Sequence, residues 1–189
     1  MKRLLAAYLF STQALACAHD VRPSGVWGIP LTSVEGTRFS PEVNAKGARF
    51  TVIEFFSTDC PVQKAHDLRL IELYRRYRPR GVQFFAVDSE VVASSRHDAI
   101  ERQARGYPFP IFVDENGRFA DALGVSYSTF TIIVDHEGVI RYQGGIDSDR
   151  VEPRPDAKPY LQNALDDLLS GKAPRQAVGN VFGCMLRRW

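Results

Sequence analysis

The apolar positions along the chain alternate between short, near-continuous runs and segments of helical spacing. The runs at 50–56 and 82–88 are β-branched and aromatic, which is typical of strands buried on both faces. Between them a helix is predicted to begin at Pro61 and to end before Pro79 and Gly81. The predicted apolar face of this helix comprises Ala65, Leu68, Leu70, Ile71, Leu73, Tyr74 and Tyr77. We therefore expect a strand–helix–strand unit with parallel strands and a right-handed crossover.

The second half of the chain predicts shorter elements and a change of strand direction. The pattern predicts a polar helix at 94–105, a strand at 110–114, a short helix at 118–123, a hairpin of strands 131–135 and 139–144, and an amphipathic helix at 161–169. A parallel unit followed by an antiparallel hairpin and a terminal helix indicates an α/β fold. Its central sheet should be mixed, with helices on both faces.

The first eighteen residues resemble the three regions of a secretory signal peptide, namely a basic start, a short apolar run and small residues up to Ala18. The apolar run is too short to span a bilayer, so we expect an exported protein, periplasmic or extracellular. Cleavage after Ala16 would leave Cys17 free for lipidation and hence for membrane attachment, whereas cleavage after Ala18 would remove Cys17. The remaining chain is expected to divide into an N-terminal extension or hairpin at 19–46, a folded domain at 47–172 and a tail at 173–189.

Composition narrows the class of protein. Of the 189 residues, 44% are hydrophobic and 24% are charged, which excludes a disordered chain, a coiled coil and a multi-pass membrane protein. The net charge is only +2 and the basic residues are scattered, so nucleic acid is not a predicted partner.

The candidate chemistry lies in the cysteines. The chain has three, and because Cys17 falls in the leader, the folded part keeps Cys60 and Cys184. Cys60 lies at the junction of a predicted strand and the helix that follows it, where the helix dipole stabilises a thiolate. Lys64 and His66 would add positive charge there, while Asp59 would oppose it. The alternative is that Cys60 is an inert buried residue.

Two short motifs and the order of the elements resemble the redoxin group of the thioredoxin-like superfamily, which includes thiol–disulfide oxidoreductases and the AhpC/TSA peroxiredoxin relatives. The motifs are Thr58-Asp59-Cys60-Pro61 before the first long helix and Gly183-Cys184 after the last. The resemblance implies a thioredoxin-like fold at 47–172 and a thiol-based oxidoreductase with Cys60 as nucleophile, without cofactor or metal. It implies that Thr58, Pro61 and Thr129 support the site or line the substrate groove. It also implies partners that are thiol or disulfide proteins or small peroxides, and a reducing partner such as a thioredoxin-like donor.

The chain departs from both family patterns. Gln63 stands where a Cys-x-x-Cys site has its second cysteine, so disulfide exchange within that motif is excluded. Ser57 matches the peroxiredoxin pattern, but Ile53 stands where that pattern has Pro. Thr129 stands about where peroxiredoxins have an Arg and thioredoxins a cis-Pro.

Cys184 therefore has two alternative roles. It resolves an intermediate on Cys60, or it forms a plain structural disulfide with Cys60, which would stabilise the fold by roughly 4 to 5 kcal/mol. In the second case the protein would be a non-catalytic binding or accessory protein, including one of metallochaperone type. His66 bears on that alternative, but we interpret it as a solvated or capping helix residue.

Overall fold

The computed structural model describes residues 23–41, 47–152 and 154–188, so the expected signal peptide and Cys17 lie outside the described residues. The strands are β1 (Leu31–Ser33), β2 (Arg38–Phe39), β3 (Phe50–Phe56), β4 (Val82–Asp88), β5 (Ile111–Val113), β6 (Phe130–Asp135) and β7 (Ile140–Gly145). The α-helices are α1 (Pro61–Tyr77), α2 (Ser95–Ala104), α3 (Arg118–Ala122) and α4 (Tyr160–Leu169). Short 3-10 turns occupy Val26–Gly28, Arg78–Arg80 and Glu115–Gly117.

The strands form one mixed sheet in the order β2-β1-β5-β4-β3-β6-β7. β3 pairs in parallel with β4 along its whole length, from Phe50 opposite Val82 to Phe56 opposite Asp88. On its other side β3 pairs antiparallel with β6, and β6 pairs antiparallel with β7. The predicted α/β fold with a mixed central sheet is therefore confirmed. The β1–β2 hairpin, within the expected extension, joins the same sheet by pairing antiparallel with β5.

Alternation of side chains along β3 separates two apolar clusters, one on each face of the sheet. Val52 and Phe56 belong to the cluster covered by α1 and α4. Ile53 and Phe55 belong to the opposite cluster, which is covered by α3 and receives Leu186 from the tail. Helices therefore cover both faces, as predicted.

The buried face of α1 differs from the predicted apolar face. Leu68 is 74% exposed, whereas Gln63, His66 and Asp67 in the first turns are buried. The interpretation of His66 as a solvated or capping residue is therefore wrong: its Nε2 lies 3.0 Å from Oδ1 of Asp147 and its Nδ1 lies 2.7 Å from the carbonyl oxygen of Val62. The imidazole of His66 is stable in this interior because both of its ring nitrogens have hydrogen-bond partners.

Residues 177–188, which we call the docked tail, return along the edge strand β7 toward the start of α1. Gly179 donates from its N–H to the carbonyl oxygen of Gln143 over 2.9 Å, and Gly145 donates to the carbonyl oxygen of Asn180 over 3.1 Å. A Cβ at Gly144 would lie 2.6 Å from Cα of Gly179. The two backbones approach this closely because glycine lies on both sides of the contact.

Candidate active site

Cys60 lies at the last position before α1. The chain leaves β3 after Phe56, and the backbone of Cys60 is extended, with φ −73° and ψ 119°, so that α1 begins at Pro61. The carbonyl oxygen of Cys60 accepts the N–H of Lys64 over 3.1 Å. Pro61 fits the first helical position because it has no N–H to leave unpaired there. This geometry sets the sulfur at the positive end of the helix dipole.

Cys60 and Cys184 form a disulfide whose Cα atoms are 5.7 Å apart, across a sequence separation of 124 residues. Cys60 is 1% exposed, while Cys184 is partly exposed. The two cysteines left in the folded part of the chain are thus brought together, and the partner of Cys60 comes from the tail because the nearby helical position holds Gln63.

The docked tail lies in a channel formed by residues 126–129 together with Glu90 and Val91, which we call the tail channel. Ser128 donates its N–H to the carbonyl oxygen of Cys184, and Leu186 donates its N–H to that of Ser126, both over 2.9 Å. These bonds have the alternation of an antiparallel strand pair, with Tyr127 opposite Met185. The far wall contributes the N–H of Val91, which donates to the carbonyl oxygen of Arg187 over 2.9 Å.

Thr129, predicted to line the substrate groove, lies in this channel. Its hydroxyl donates to the carbonyl oxygen of Phe182 over 2.7 Å, and its N–H donates to that of Phe55 over 2.9 Å. Its φ of 59° is in the left-handed region, which is uncommon for a β-branched residue. Thr58, which like Pro61 was predicted to support the site, is buried in the turn before Cys60.

Arg187 of the tail forms ion pairs with two carboxylates beside the disulfide. Its guanidinium lies 2.9 Å from Oε2 of Glu90 and 2.9 Å from Oδ2 of Asp59. Glu90 also accepts a 3.0 Å hydrogen bond from the hydroxyl of Ser57. Burial raises the pKa of Glu90, but the hydrogen bonds and charge of Arg187 outweigh burial and hold that pKa below its usual value. Asp59, the residue before Cys60, thus pairs with the tail.

A buried polar network lies behind the turn, under the first turns of α1. Gln63 donates from Nε2 to the hydroxyl of Tyr107 over 3.0 Å, and that hydroxyl donates to Oδ1 of Asp67 over 2.6 Å. Arg105 completes the network with two hydrogen bonds to Asp67, of 2.6 and 2.7 Å. Burial is the main reason that the pKa of the Tyr107 hydroxyl rises well above its ordinary value.

Glu54 is the most unusual member of this region, and the sequence reasoning missed it. It lies in the middle of β3, on the face covered by α1, and among the described residues neither carboxylate oxygen has a hydrogen-bond partner. Burial raises its pKa to about 8, and the charge of Arg105 only partly opposes this. The available signal was an acidic residue in the middle of an otherwise apolar strand.

The described residues contain neither a metal-binding cluster nor a membrane-spanning helix. Across 23–41, 47–152 and 154–188, no group of three or more His, Cys, Asp or Glu side chains is placed to hold a metal ion. Among those residues there is also no helix with the length and apolarity needed to span a bilayer.

Comparison with known proteins identifies the family. The model of the AhpC/TSA family matches residues 29–143, which include β3, the Cys60 turn and α1. The chain belongs to the AhpC/TSA family. Cys184, the disulfide partner of Cys60, lies in the tail beyond the matched residues.

Individual relatives are distant. The chain is 27% identical over 113 residues to the thiol-disulfide oxidoreductase ResA of Halalkalibacterium halodurans, covering 59% of this chain and 61% of that protein. The match thus spans about three fifths of that curated relative. A solved structure of a conserved protein from Geobacillus kaustophilus is 28% identical, with a TM-score of 0.77 over 85% of this chain and 88% of that one. The bacterioferritin comigratory protein of Xanthomonas campestris shares the fold at 17% identity, with a TM-score of 0.59 over 82% of this chain and 96% of that one.

Proposed function

We propose that this AhpC/TSA family member is a thiol–disulfide oxidoreductase that reduces disulfides of partner proteins, with Cys60 and Cys184 as its redox pair. The observation that carries the proposal is the disulfide between a cysteine at a helix N-terminus and a cysteine in the docked tail. The helix end favours the thiolate of Cys60, which is the nucleophile in thiol–disulfide exchange.

The cycle begins with the protein's own disulfide. A thiolate of a dithiol donor attacks the sulfur of Cys184, the partly exposed residue of the pair, and Cys60 leaves as a thiolate at the helix N-terminus. The donor's second thiol then attacks the donor sulfur of this mixed disulfide. Cys184 is released as a thiol, and the donor becomes a disulfide. Two electrons have then entered the protein.

The second half passes those electrons to the substrate. The Cys60 thiolate attacks one sulfur of a partner's disulfide, and the other partner sulfur leaves as a thiolate that takes up a proton. Cys184, deprotonated, then attacks the sulfur of Cys60 in the mixed disulfide. The Cys60–Cys184 bond forms again, and the partner leaves with two thiols.

The reduction potential separates this proposal from a structural disulfide. We expect equilibration against glutathione or dithiothreitol buffers to give a potential between about −270 and −120 mV, the range of exchange proteins, whereas structural disulfides lie below about −300 mV. We also expect the reduced protein to reduce a disulfide-bonded model protein, and Cys60→Ser to abolish this. A potential below the exchange range, together with no turnover, would identify a structural bond and overturn the proposal.

Peroxide reduction is the second candidate, because it would leave the same bond between Cys60 and Cys184. The Cys60 thiolate would attack one oxygen of a peroxide and break the O–O bond, giving a sulfenic acid and releasing the other oxygen as water or an alcohol. Cys184 would then attack the sulfur of Cys60, form the disulfide and displace the sulfenic oxygen as water. The same reduced protein, assayed for hydrogen peroxide consumption, distinguishes the two substrates. An exported location, which we propose from residues 1–18, suits a protein with a disulfide.

A further inference from the structure

We propose that the tail channel is a peptide-binding site that the docked tail occupies as an intramolecular ligand. After reduction, it would bind an extended segment of the disulfide partner. The partner's segment would carry glycine before its cysteine, an aliphatic residue two positions after it and arginine three positions after it. This inference rests on the proposed function, since it names the substrate segment that Cys60 would attack.

Backbone hydrogen bonds give the channel a general affinity for extended chain. Its polar atoms pair with the tail backbone on both sides of Cys184. Before the cysteine, the hydroxyl of Thr129 donates to the carbonyl oxygen of Phe182; at the cysteine and after it, the contacts are made by the carbonyl of Ser126, the N–H and hydroxyl of Ser128, and the N–H of Val91. Any extended segment can make such bonds, because they involve no side chain of the ligand. Specificity must therefore come from the positions around the cysteine.

The position before the cysteine accepts only glycine. A Cβ on Gly183 would collide with the carbonyl oxygen of Ser128 and lie 2.7 Å from the hydroxyl oxygen of Thr129. Neither wall atom is the end of a flexible chain, since one is backbone and the hydroxyl is held by its hydrogen bond to Phe182. A larger residue would have to push the channel open.

The position two residues after the cysteine is apolar. Leu186 is 2% exposed and joins the same apolar cluster as Phe119 and Val125. Met185, between it and the cysteine, is 69% exposed and faces no such cluster. The channel therefore distinguishes the residue at position 186 and tolerates change at position 185.

The third position after the cysteine requires a positive charge. The side chain of Glu90 is only 2% exposed where it meets Arg187, and the N–H and guanidinium of that residue donate three hydrogen bonds to it, of 2.9 to 3.2 Å. A buried carboxylate without a cation is strongly unfavourable. Whatever segment replaces the tail should therefore bring its own arginine to Glu90.

Exchange of synthetic peptides with the full-length Cys184→Ser variant tests the channel directly. The probe is a peptide copying residues 181–188, with its cysteine joined to thionitrobenzoate. The Cys60 thiolate attacks the peptide sulfur, a new disulfide forms and coloured thionitrobenzoate leaves. We expect this peptide to react about ten times faster than a scrambled one, a discrimination worth about 1.4 kcal/mol.

Single changes in the peptide test each position. Alanine for Gly183, aspartate for Leu186 and glutamate for Arg187 are each expected to remove most of the tenfold advantage, whereas alanine for Met185 should leave it unchanged. Because the tail competes for the channel, adding Arg187→Ala to the protein should accelerate the reaction of the matching peptide. Arg80→Ala serves as the control. It removes an arginine outside the tail, whose partner is Asp166, and it should not accelerate the reaction of the matching peptide.

The outcomes separate this inference from the proposed function. Equal rates for the matching and scrambled peptides would overturn the channel as a specific site. If Cys60 still reacts rapidly with a small nitrobenzoate disulfide in that case, the proposed function stands. If Cys60 reacts with neither the peptides nor the small reagent, both proposals fall.

Discussion

Gln63 donates a 3.0 Å hydrogen bond to the hydroxyl of Tyr107, from the helical position where a dithiol site would carry its second cysteine. Gln63 is fully buried, and the bond links α1 to the chain between α2 and β5. The position is therefore structural in this protein, and its polar side chain is held by a residue 44 positions away.

Removal of this amide should destabilise the fold. In Gln63→Leu the Tyr107 hydroxyl loses its donor inside the protein, so we expect the free energy of unfolding to fall by about 1 to 3 kcal/mol. Urea unfolding measures this. Gln103→Leu, an exposed change on α2, is the matched control and should alter the value by less than about 0.5 kcal/mol. An equally small change in both variants would contradict the role of Gln63.

Glu54 should make the protein less stable as the pH rises toward 8. Its pKa is raised from 4.5 to about 8 by burial, so the native state keeps a proton that the unfolded chain releases above pH 4.5. The native state therefore binds more protons in this window, and its stability declines by roughly 1.4 kcal/mol per pH unit from this group. Glu54→Gln should flatten that decline between pH 5 and pH 8 in urea titrations.

The control for this experiment is Glu72→Gln, which changes an exposed carboxylate on α1. Asp88 and Asp98 also have raised pKa values, chiefly from burial, so the wild type keeps a second source of pH dependence. The difference between wild type and Glu54→Gln isolates Glu54. If that difference does not change with pH, Glu54 is ionised in the native protein and our interpretation of it is wrong.

The sequence predicted the sheet well because β3 and β4 are near-continuous apolar runs whose burial leaves little choice of partner. It predicted α1 with the correct length and most of its apolar buried face, but it assigned Leu68 to that face and missed the buried polar residues of the first turns. Hydrophobic periodicity assigns polar residues to solvent, and the partners that bury Gln63 and His66 come from distant residues, Tyr107 and Asp147.

Prediction of the candidate site from the sequence was limited in the same way, because the path of the tail depends on distant contacts. Its cysteine was identifiable as the remaining partner for Cys60. Its course through the tail channel was not, because backbone hydrogen bonds such as Ser128 to Cys184 leave no side-chain pattern. The close fit of Gly183 against Ser128 likewise depends on tertiary structure.

Ionised Asp147 should stabilise the fold, and this stabilisation should be lost at acidic pH. Burial raises its pKa, but the hydrogen bond and charge of His66, the N–H of Asp149 and the hydrogen bond of Arg69 together hold it below the ordinary value. Its stabilisation is therefore complete above about pH 4 and is lost as the pH falls through the lowered native pKa. We expect Asp147→Asn to lower the stability at pH 7 by about 2 kcal/mol.

The same variant should lose less stability than the wild type when the pH is lowered from 5 to 3, which urea unfolding at each pH would show. Asp156→Asn, at an exposed carboxylate in the same loop, is the control and should follow the wild type. If Asp147→Asn loses as much stability between pH 5 and pH 3 as the wild type, other carboxylates account for that loss.

The exposure of the two cysteine residues predicts which sulfur a reductant attacks. Cys60 is 1% exposed beneath the tail, and Cys184 is partly exposed, so glutathione should attack Cys184 and release the Cys60 thiolate at the helix N-terminus. To test this, the oxidised protein is treated briefly with glutathione, quenched with acid and alkylated. We expect mass mapping to find glutathione on Cys184 and the alkyl label on Cys60. Arg187→Ala removes the tail's contact with Asp59 and should shift part of the adduct to Cys60. A wild-type adduct found mainly on Cys60 would reverse the assigned direction of attack, because the buried sulfur would then be the accessible one in solution.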